Sequence, residues 1–139
     1  MKAHGLGLLV SVAAAILLSA SAPASPGAAQ QQAASPVTRT ILDRREVPGA
    51  NYEVVIAKVE IVPGGHNPRH THPGAVMGYV LEGDFAISIA GGPFRSVLPG
   101  EHFSVDAGAV HEERAGAQGA TAIAVFTVQK GKPMTSPAP

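Results

Sequence analysis

Cysteine is absent from this chain of 139 residues, and its absence limits how the protein can be stabilised and how it can bind metals. Disulfide bonds and thiolate metal sites are both excluded. Any metal centre must therefore use imidazole nitrogen and oxygen donors. Tryptophan is also absent, and two tyrosines and four phenylalanines leave few rings for stacking on sugars or nucleobases.

The chain also lacks an excess of charge of either sign. Ten lysines and arginines balance ten aspartates and glutamates. Lys2 lies in a segment that we expect to be removed, so the mature chain has a net charge of about −1. Without a basic patch, the sequence excludes nucleic acid as a partner.

No apolar run reaches the length of about 20 residues that a transmembrane helix needs. The longest run, residues 6–18, follows the positive charge of Lys2 and precedes a stretch of small residues. This pattern is typical of a secretory signal peptide. We predict a signal peptide over residues 1–29, cleaved before Gln30, with cleavage after Ala24 as the alternative. An uncleaved membrane anchor is the competing interpretation of the same run. Cleavage predicts a protein exported to the periplasm or secreted.

The mature chain of about 110 residues is long enough for one hydrophobic core. Residues 30–39, in which Gln and Ala are the commonest residues, predict a disordered linker. Residues 40–130 predict a single folded domain. Residues 131–139 contain three prolines and few apolar side chains, and they predict a flexible tail.

The domain is dominated by short apolar or alternating segments, which predict β-strands. Glycine-containing turns separate many of them, at Gly83-Asp84, 91–93 and 116–119. Short strands at regular spacing, without helical periodicity, predict an all-β sandwich or barrel. The predicted strands are Tyr52–Val62, Val76–Leu81, Phe85–Ala90, Phe94–Leu98, His102–Val105, Val110–Arg114 and Thr121–Gln129.

Three histidines are the strongest candidates for a functional site. His70 and His72 are two residues apart, so on an extended segment both side chains point to the same face. His111 follows at the end of a glycine-punctuated segment. Neutral imidazole is the commonest protein ligand for transition metals. We therefore predict that His70, His72 and His111 bind one metal ion and leave part of its coordination sphere open.

These residues resemble the motifs of the cupin superfamily. Its first motif has glycine, five residues, His-x-His, three or four residues, glutamate, six residues and glycine, and Gly64, His70-Thr71-His72 and Gly83 match it. Gly100, Gly108 and His111 match the second motif. The resemblance covers roughly residues 40–130. It implies a small single-domain cupin with an antiparallel jelly-roll barrel, also called a double-stranded β-helix, and it implies a homodimer.

The sequence departs from the family pattern at three positions, of which one bears on metal binding. Val76 stands where the family has its metal-binding glutamate, while Asp106 and Ala115 replace the proline and asparagine of the second motif. Three histidines without that carboxylate leave the ion its full positive charge, which favours an anionic ligand. Glu113 has the same strand parity as His111, so it either supplies the missing carboxylate or lies at a solvated strand end. His66 has the parity of His70 if the segment is extended, so it is either a fourth ligand or a histidine in a surface loop, and the glycines before it favour the loop.

Two functional hypotheses follow from the resemblance. The first is an exported metal-binding cupin with a small-molecule pocket in the barrel, acting as an oxygenase or isomerase on a small oxygen-rich compound. The second is a non-catalytic cupin that binds a ligand or partner and has a degenerate metal site. The sequence leaves open whether the protein is an enzyme and which residues would be catalytic. The expected cofactor is one divalent transition metal, with Fe, Zn, Ni, Cu and Mn all possible.

Overall fold

The computed structural model describes residues 35–139, and this part of the chain is built from antiparallel strands. The predicted signal peptide and the first half of the predicted linker lie outside the described residues. Residues 35–139 contain no helix that is long and apolar enough to cross a bilayer. The strands are β1 (Val37–Glu46), β2 (Tyr52–Ile61), β3 (His66–Thr71), β4 (Val76–Ile89), β5 (Arg95–Val97), β6 (His102–Val105), β7 (His111–Gln129) and β8 (Ser136–Pro137).

The long strand β7 holds the sheet together. Along one edge, its first residues pair with β3 and its second half pairs with β2, which in turn pairs with β1. Along its other edge, β7 pairs with β4 from Ile89↔His111 to Val76↔Phe126. Strands β5 and β6 add to the free edge of β4. The prediction of an all-β antiparallel fold is confirmed.

Two strands are longer than the sequence predicts. We expected turns at Gly83-Asp84 and at residues 116–119, but β4 and β7 continue through these segments. The pairing of β4 with β7 shifts register between Val80 and Glu82 and again between Gly83 and Phe85. Gly83 has φ +85°, and a Cβ atom there would overlap the carbonyl of Gly119. The glycines thus allow bulges that bend the strands without ending them.

Both ends of the folded domain extend further than predicted. β1 begins at Val37, inside the segment 30–39 that we expected to be a linker. The segment expected as a flexible tail forms β8, which pairs with β3 through Thr71↔Ser136. The backbone N–H of Ala138 also donates a hydrogen bond to the carbonyl of Arg69. The edge of β3 has backbone groups that need hydrogen-bond partners. Pairing with them orders the C-terminal segment, although its composition alone does not predict a strand.

Strand alternation separates an apolar interior from the solvent. On β4, Val76, Gly78 and Val80 are buried, whereas Met77 and Tyr79 between them are exposed. Gly78 is required because a Cβ atom there would overlap the ring of Phe103. That ring stacks in turn on Phe85, with centroids 4.9 Å apart. This aromatic layer, formed by Phe85 and Phe103, lines the same cavity as the polar cluster described next.

Candidate metal centre

His70, His72 and His111 come together in the interior. His70 on β3 and His111 on β7 are directly paired across the sheet, and His72 follows just after β3. The ring centroids are 4.2 Å apart for His70–His111, 4.9 Å for His70–His72 and 5.0 Å for His72–His111. All three are at most 4% exposed. One potential ligand atom from each lies within 4.8 Å of the others, so the trio could hold a metal ion.

Hydrogen bonds to backbone carbonyls fix the tautomer of each imidazole. The Nδ1–H of His70 donates to Pro68 O at 2.8 Å, and that of His111 donates to Ala109 O at 2.9 Å. The Nδ1–H of His72 donates to Met134 O at 2.6 Å. A carbonyl can only accept, so Nδ1 carries the proton and Nε2 keeps a free lone pair in each neutral ring. This arrangement prepares three Nε2 donors for one cation.

Burial keeps the imidazoles neutral. Removal from solvent lowers the pKa of His70 and that of His72 to about 4, although the hydrogen bonds to Pro68 O and Met134 O act in the opposite direction. Burial also lowers the pKa of His111. A protonated imidazole cannot bind a metal through the same nitrogen. The trio is therefore in its ligating form at neutral pH.

We predict that the metal-free protein loses stability when the pH falls from 7 to 5. The unfolded histidines titrate near pH 6.5, while the pKa values of folded His70 and His72 are lowered to about 4. Between these values the unfolded state holds more protons, so acid favours unfolding. Glu113, whose pKa burial raises to about 7, acts oppositely by taking up one proton in the folded state. The three histidines take up more protons on unfolding than Glu113 releases, a difference of at most two protons, so stability falls by at most roughly 3 kcal/mol per pH unit.

Urea unfolding of the chelator-treated protein at pH 7, 6 and 5 measures this effect. The His66→Ala variant is a matched control, because it removes an exposed imidazole and leaves the buried trio intact. It should show the same loss as the parent. Equal midpoints at pH 7 and pH 5 in the parent would contradict the burial of three neutral imidazoles.

Glu113 adds a carboxylate to the same cluster. It lies on β7 two residues after His111, so both side chains face inward. Its Oε1 is 3.5 Å from Nε2 of His111, and its Oε2 is 4.0 Å from Nε2 of His70. Asn67 Nδ2 donates to Oε2 of Glu113 at 2.6 Å. Of the two positions considered for Glu113, the structure gives the buried one, beside the histidines.

A small cavity separates the polar cluster from the aromatic layer. Its volume is about 30 Å³, roughly two to three times what one water needs. Val76, at the position of the family glutamate, faces this cavity and is 3% exposed. The cavity is polar at the histidines, Arg39, Asn67 and Glu113, and apolar elsewhere. The residues that line it are Arg39, Val59, Ile61, Asn67, His70, His72, Val76, Phe85, Phe103, His111, Glu113, Ala122, Ala124 and Phe126.

His66 lies outside the cluster. The pairing of β3 with β7 shifts register between Asn67 and His70, which is a bulge. The shift reverses the parity on which the comparison of His66 with His70 depended. Asn67 takes the inward position, and His66 is exposed with its Nε2 2.8 Å from Glu112 Oε2. The structure thus gives His66 the surface position.

Two polar residues of the cavity, Arg39 and Asn67, were not predicted from the sequence. Arg39 was assigned to the linker, although its parity with the apolar Val37 is a signal for an inward-facing position at the start of a strand. Asn67 has no comparable signal, because the bulge that turns it inward is not visible in the sequence.

Comparison with known proteins agrees with this architecture. The family model for the cupin domain matches residues 57–132, so the chain belongs to the cupin family. A solved KdgF from Halomonas sp. aligns with TM-score 0.55 and 22% identity, over 69% of this chain and 82% of that one. The predicted double-stranded β-helix is thereby confirmed.

Two further relatives are similar in sequence and are larger proteins. Nectarin-1 from Nicotiana langsdorffii x Nicotiana sanderae is 33% identical over 111 residues, which are 75% of this chain and 48% of nectarin. A solved oxalate oxidase aligns with TM-score 0.54 and 29% identity, over 61% of this chain and 46% of that one. The chain thus spans about half the length of the curated relatives it matches.

Proposed function

We propose that this cupin binds one divalent transition metal ion through His70, His72, His111 and Glu113. The observation that carries the proposal is the convergence of three buried imidazoles, each with Nδ1–H bonded to a backbone carbonyl and Nε2 unprotonated. Nε2 of His70 accepts a long hydrogen bond of 3.5 Å from Asn67 Nδ2, which a metal ion would replace. Glu113 supports the proposal by supplying, from β7, a carboxylate where Val76 on β4 has none. The donors comprise nitrogen and one carboxylate, a set that suits Fe, Mn, Zn, Ni or Cu.

The remaining groups of the cavity suit a small reactant. A bound ion supplies Lewis acidity and open coordination positions for substrate or dioxygen. Asn67 holds Glu113 in place through the hydrogen bond from Nδ2 to Oε2. Phe85, Phe103 and Phe126 form apolar walls that limit the entry of water. The backbone carbonyls beyond the histidines orient the rings, so the site is assembled before a ligand arrives.

We further propose that the protein acts as an oxygenase or isomerase on a small, anionic, oxygen-rich compound. Similarity to an oxalate oxidase supports a short carboxylic acid as substrate. The cavity volume of about 30 Å³ excludes substrates larger than a short acid. The alternative is a non-catalytic cupin that binds a ligand without converting it, and this small volume favours it, because little room remains beside an ion and a substrate.

Metal content and turnover distinguish these functions. Protein purified without a histidine tag should contain about one transition metal ion per chain, released on acidification as the imidazoles take up protons. Reconstitution with Fe²⁺ or Mn²⁺ followed by dioxygen uptake with oxalate tests for oxygenase activity. One ion per chain without conversion of oxalate or related short acids supports the binding protein. Absence of any tightly bound metal would overturn the proposed site.

We also propose export and a homodimer. The residue pattern of the first 29 positions supports export, and N-terminal sequencing of protein from outside the cytosol should begin near Gln30 or Ser25.

The outer face of β4 supports self-association, because Met77, Tyr79 and Leu81 are 59%, 49% and 48% exposed. Sedimentation of the mature protein tests the homodimer.

A further inference from the structure

Arg39 is an unusual side chain to find at the edge of this cavity. It lies on β1 in register with Val59 of β2, and both residues line the cavity with the histidines. Val37, two residues earlier on the same strand, also faces inward and is buried. Strand alternation therefore carries the guanidinium toward the site and away from the outer surface.

Within the described part of the chain, no hydrogen bond or ion pair accounts for the position of the guanidinium. Within residues 35–139, Arg39 forms no side-chain hydrogen bond and no ion pair within 4.0 Å, although it is partly buried. Glu113, the nearest acidic group in the cavity, already accepts from Asn67 and faces the imidazoles. Guanidinium carries five N–H donors in a planar fork that matches a carboxylate. The fork is thus available to an acceptor that enters the cavity.

The charge and the size of the site restrict that acceptor. A divalent ion, Arg39 and Glu113 together leave two positive charges in a mainly apolar enclosure, which favours an anion. The volume of about 30 Å³ admits only a few heavy atoms beside the ion. A sugar or an aromatic ring is too large for this volume. A carboxylic acid satisfies the restriction on charge, and only the shortest acids come near the restriction on size.

We propose that Arg39 determines specificity by binding the carboxylate of a short-chain carboxylic acid that lies between β1 and the histidine trio. The inference rests on the proposed metal site, which supplies the second positive centre. Arg39 would fix one end of the acid and thereby orient the other atoms toward the three Nε2 donors and Glu113. Its planar fork gives bidentate recognition that a lysine cannot reproduce.

Binding of acetate and of its neutral analogue acetamide to the full mature chain, loaded with Zn²⁺, tests the role of Arg39. The variants are Arg39→Gln and Arg39→Lys, and Arg69→Gln on the exposed part of β3 is the matched control. Calorimetry should show that Arg39→Gln weakens acetate binding by about 10- to 100-fold, as expected for lost charge-assisted hydrogen bonds. Arg39→Lys should retain an intermediate affinity. Acetamide should bind weakly to all four proteins.

Metal content measured on the same samples separates the two proposals. One zinc ion per chain in the parent and in Arg39→Gln, with the loss of acetate binding confined to the Arg39 variants, supports the role of Arg39. Equal acetate affinity in the parent and Arg39→Gln would overturn it. Loss of zinc from Arg39→Gln would also overturn it, because Arg39 would then serve the metal site. A parent that binds no zinc, yet binds acetate through Arg39, would refute the metal centre alone.

Discussion

Replacement of His111 by alanine should remove nearly all metal from the protein. His111 provides one of three converging Nε2 donors, and it also lies 3.5 Å from Glu113, so its loss affects two proposed ligands. Residues that only orient a metal ligand are worth about 10- to 100-fold in affinity. We therefore expect a loss of more than 100-fold for His111→Ala, and for His70→Ala and His72→Ala as well. Competition with a chromophoric chelator measures each affinity.

The exposed histidines provide matched controls for this series. His66→Ala and His102→Ala remove the same side chain from positions on the outside of β3 and β6. Both should retain about one ion per chain at the affinity of the parent. A loss at His66 equal to the loss at His70 would mean that the ligand set is wrong. Unchanged affinity in all three variants of the trio would refute the metal centre itself.

The histidine trio could be predicted from the sequence because its geometry depends on short-range features. His70 and His72 share a face through simple alternation, and the glycine spacing of the two motifs places His111 on a later strand. The pairing of His70 with His111 then follows from the family fold. The same alternation would place His66 on the face of His70. One bulge between them reverses the alternation and puts His66 on the surface. Parity arguments hold only along segments without a register shift.

Features that depend on long-range pairing were harder to predict. Glycines at 83 and 119 indicate turns by composition, but the partner strands continue the hydrogen bonding and convert them into bulges. The C-terminal segment is ordered because the edge of β3 pairs with it, and its Met134 carbonyl then orients His72. Arg39 reaches the site only because β1 pairs with β2. The parity of Arg39 with Val37 indicates its inward face, but no pattern within these segments shows which strands pair.

The second large effect that we expect is a loss of metal affinity when the carboxylate of Glu113 is replaced. Glu113→Gln should lower metal affinity by about 10- to 100-fold, because the amide keeps the shape and removes the negative charge. Burial raises the pKa of Glu113 to about 7, so above that pH the folded protein holds a carboxylate whose burial is unfavourable. The metal-free Glu113→Gln variant should therefore be more stable than the parent at pH 8, and equally stable near pH 5. Urea unfolding with and without added Zn²⁺ measures both effects.

Moving the carboxylate back to the family position tests whether Glu113 acts as its substitute. Val76 faces the same cavity from β4, so Val76→Glu in the Glu113→Gln background should restore a carboxylate donor and most of the lost affinity. Val76→Gln in the same background is the matched control, because it adds similar volume without charge, and it should restore little. The restored carboxylate should again destabilise the metal-free protein at pH 8. If Glu113→Gln binds metal as tightly as the parent, the three histidines are the complete ligand set. In that case, neither ligation by Glu113 nor its negative charge contributes to metal affinity.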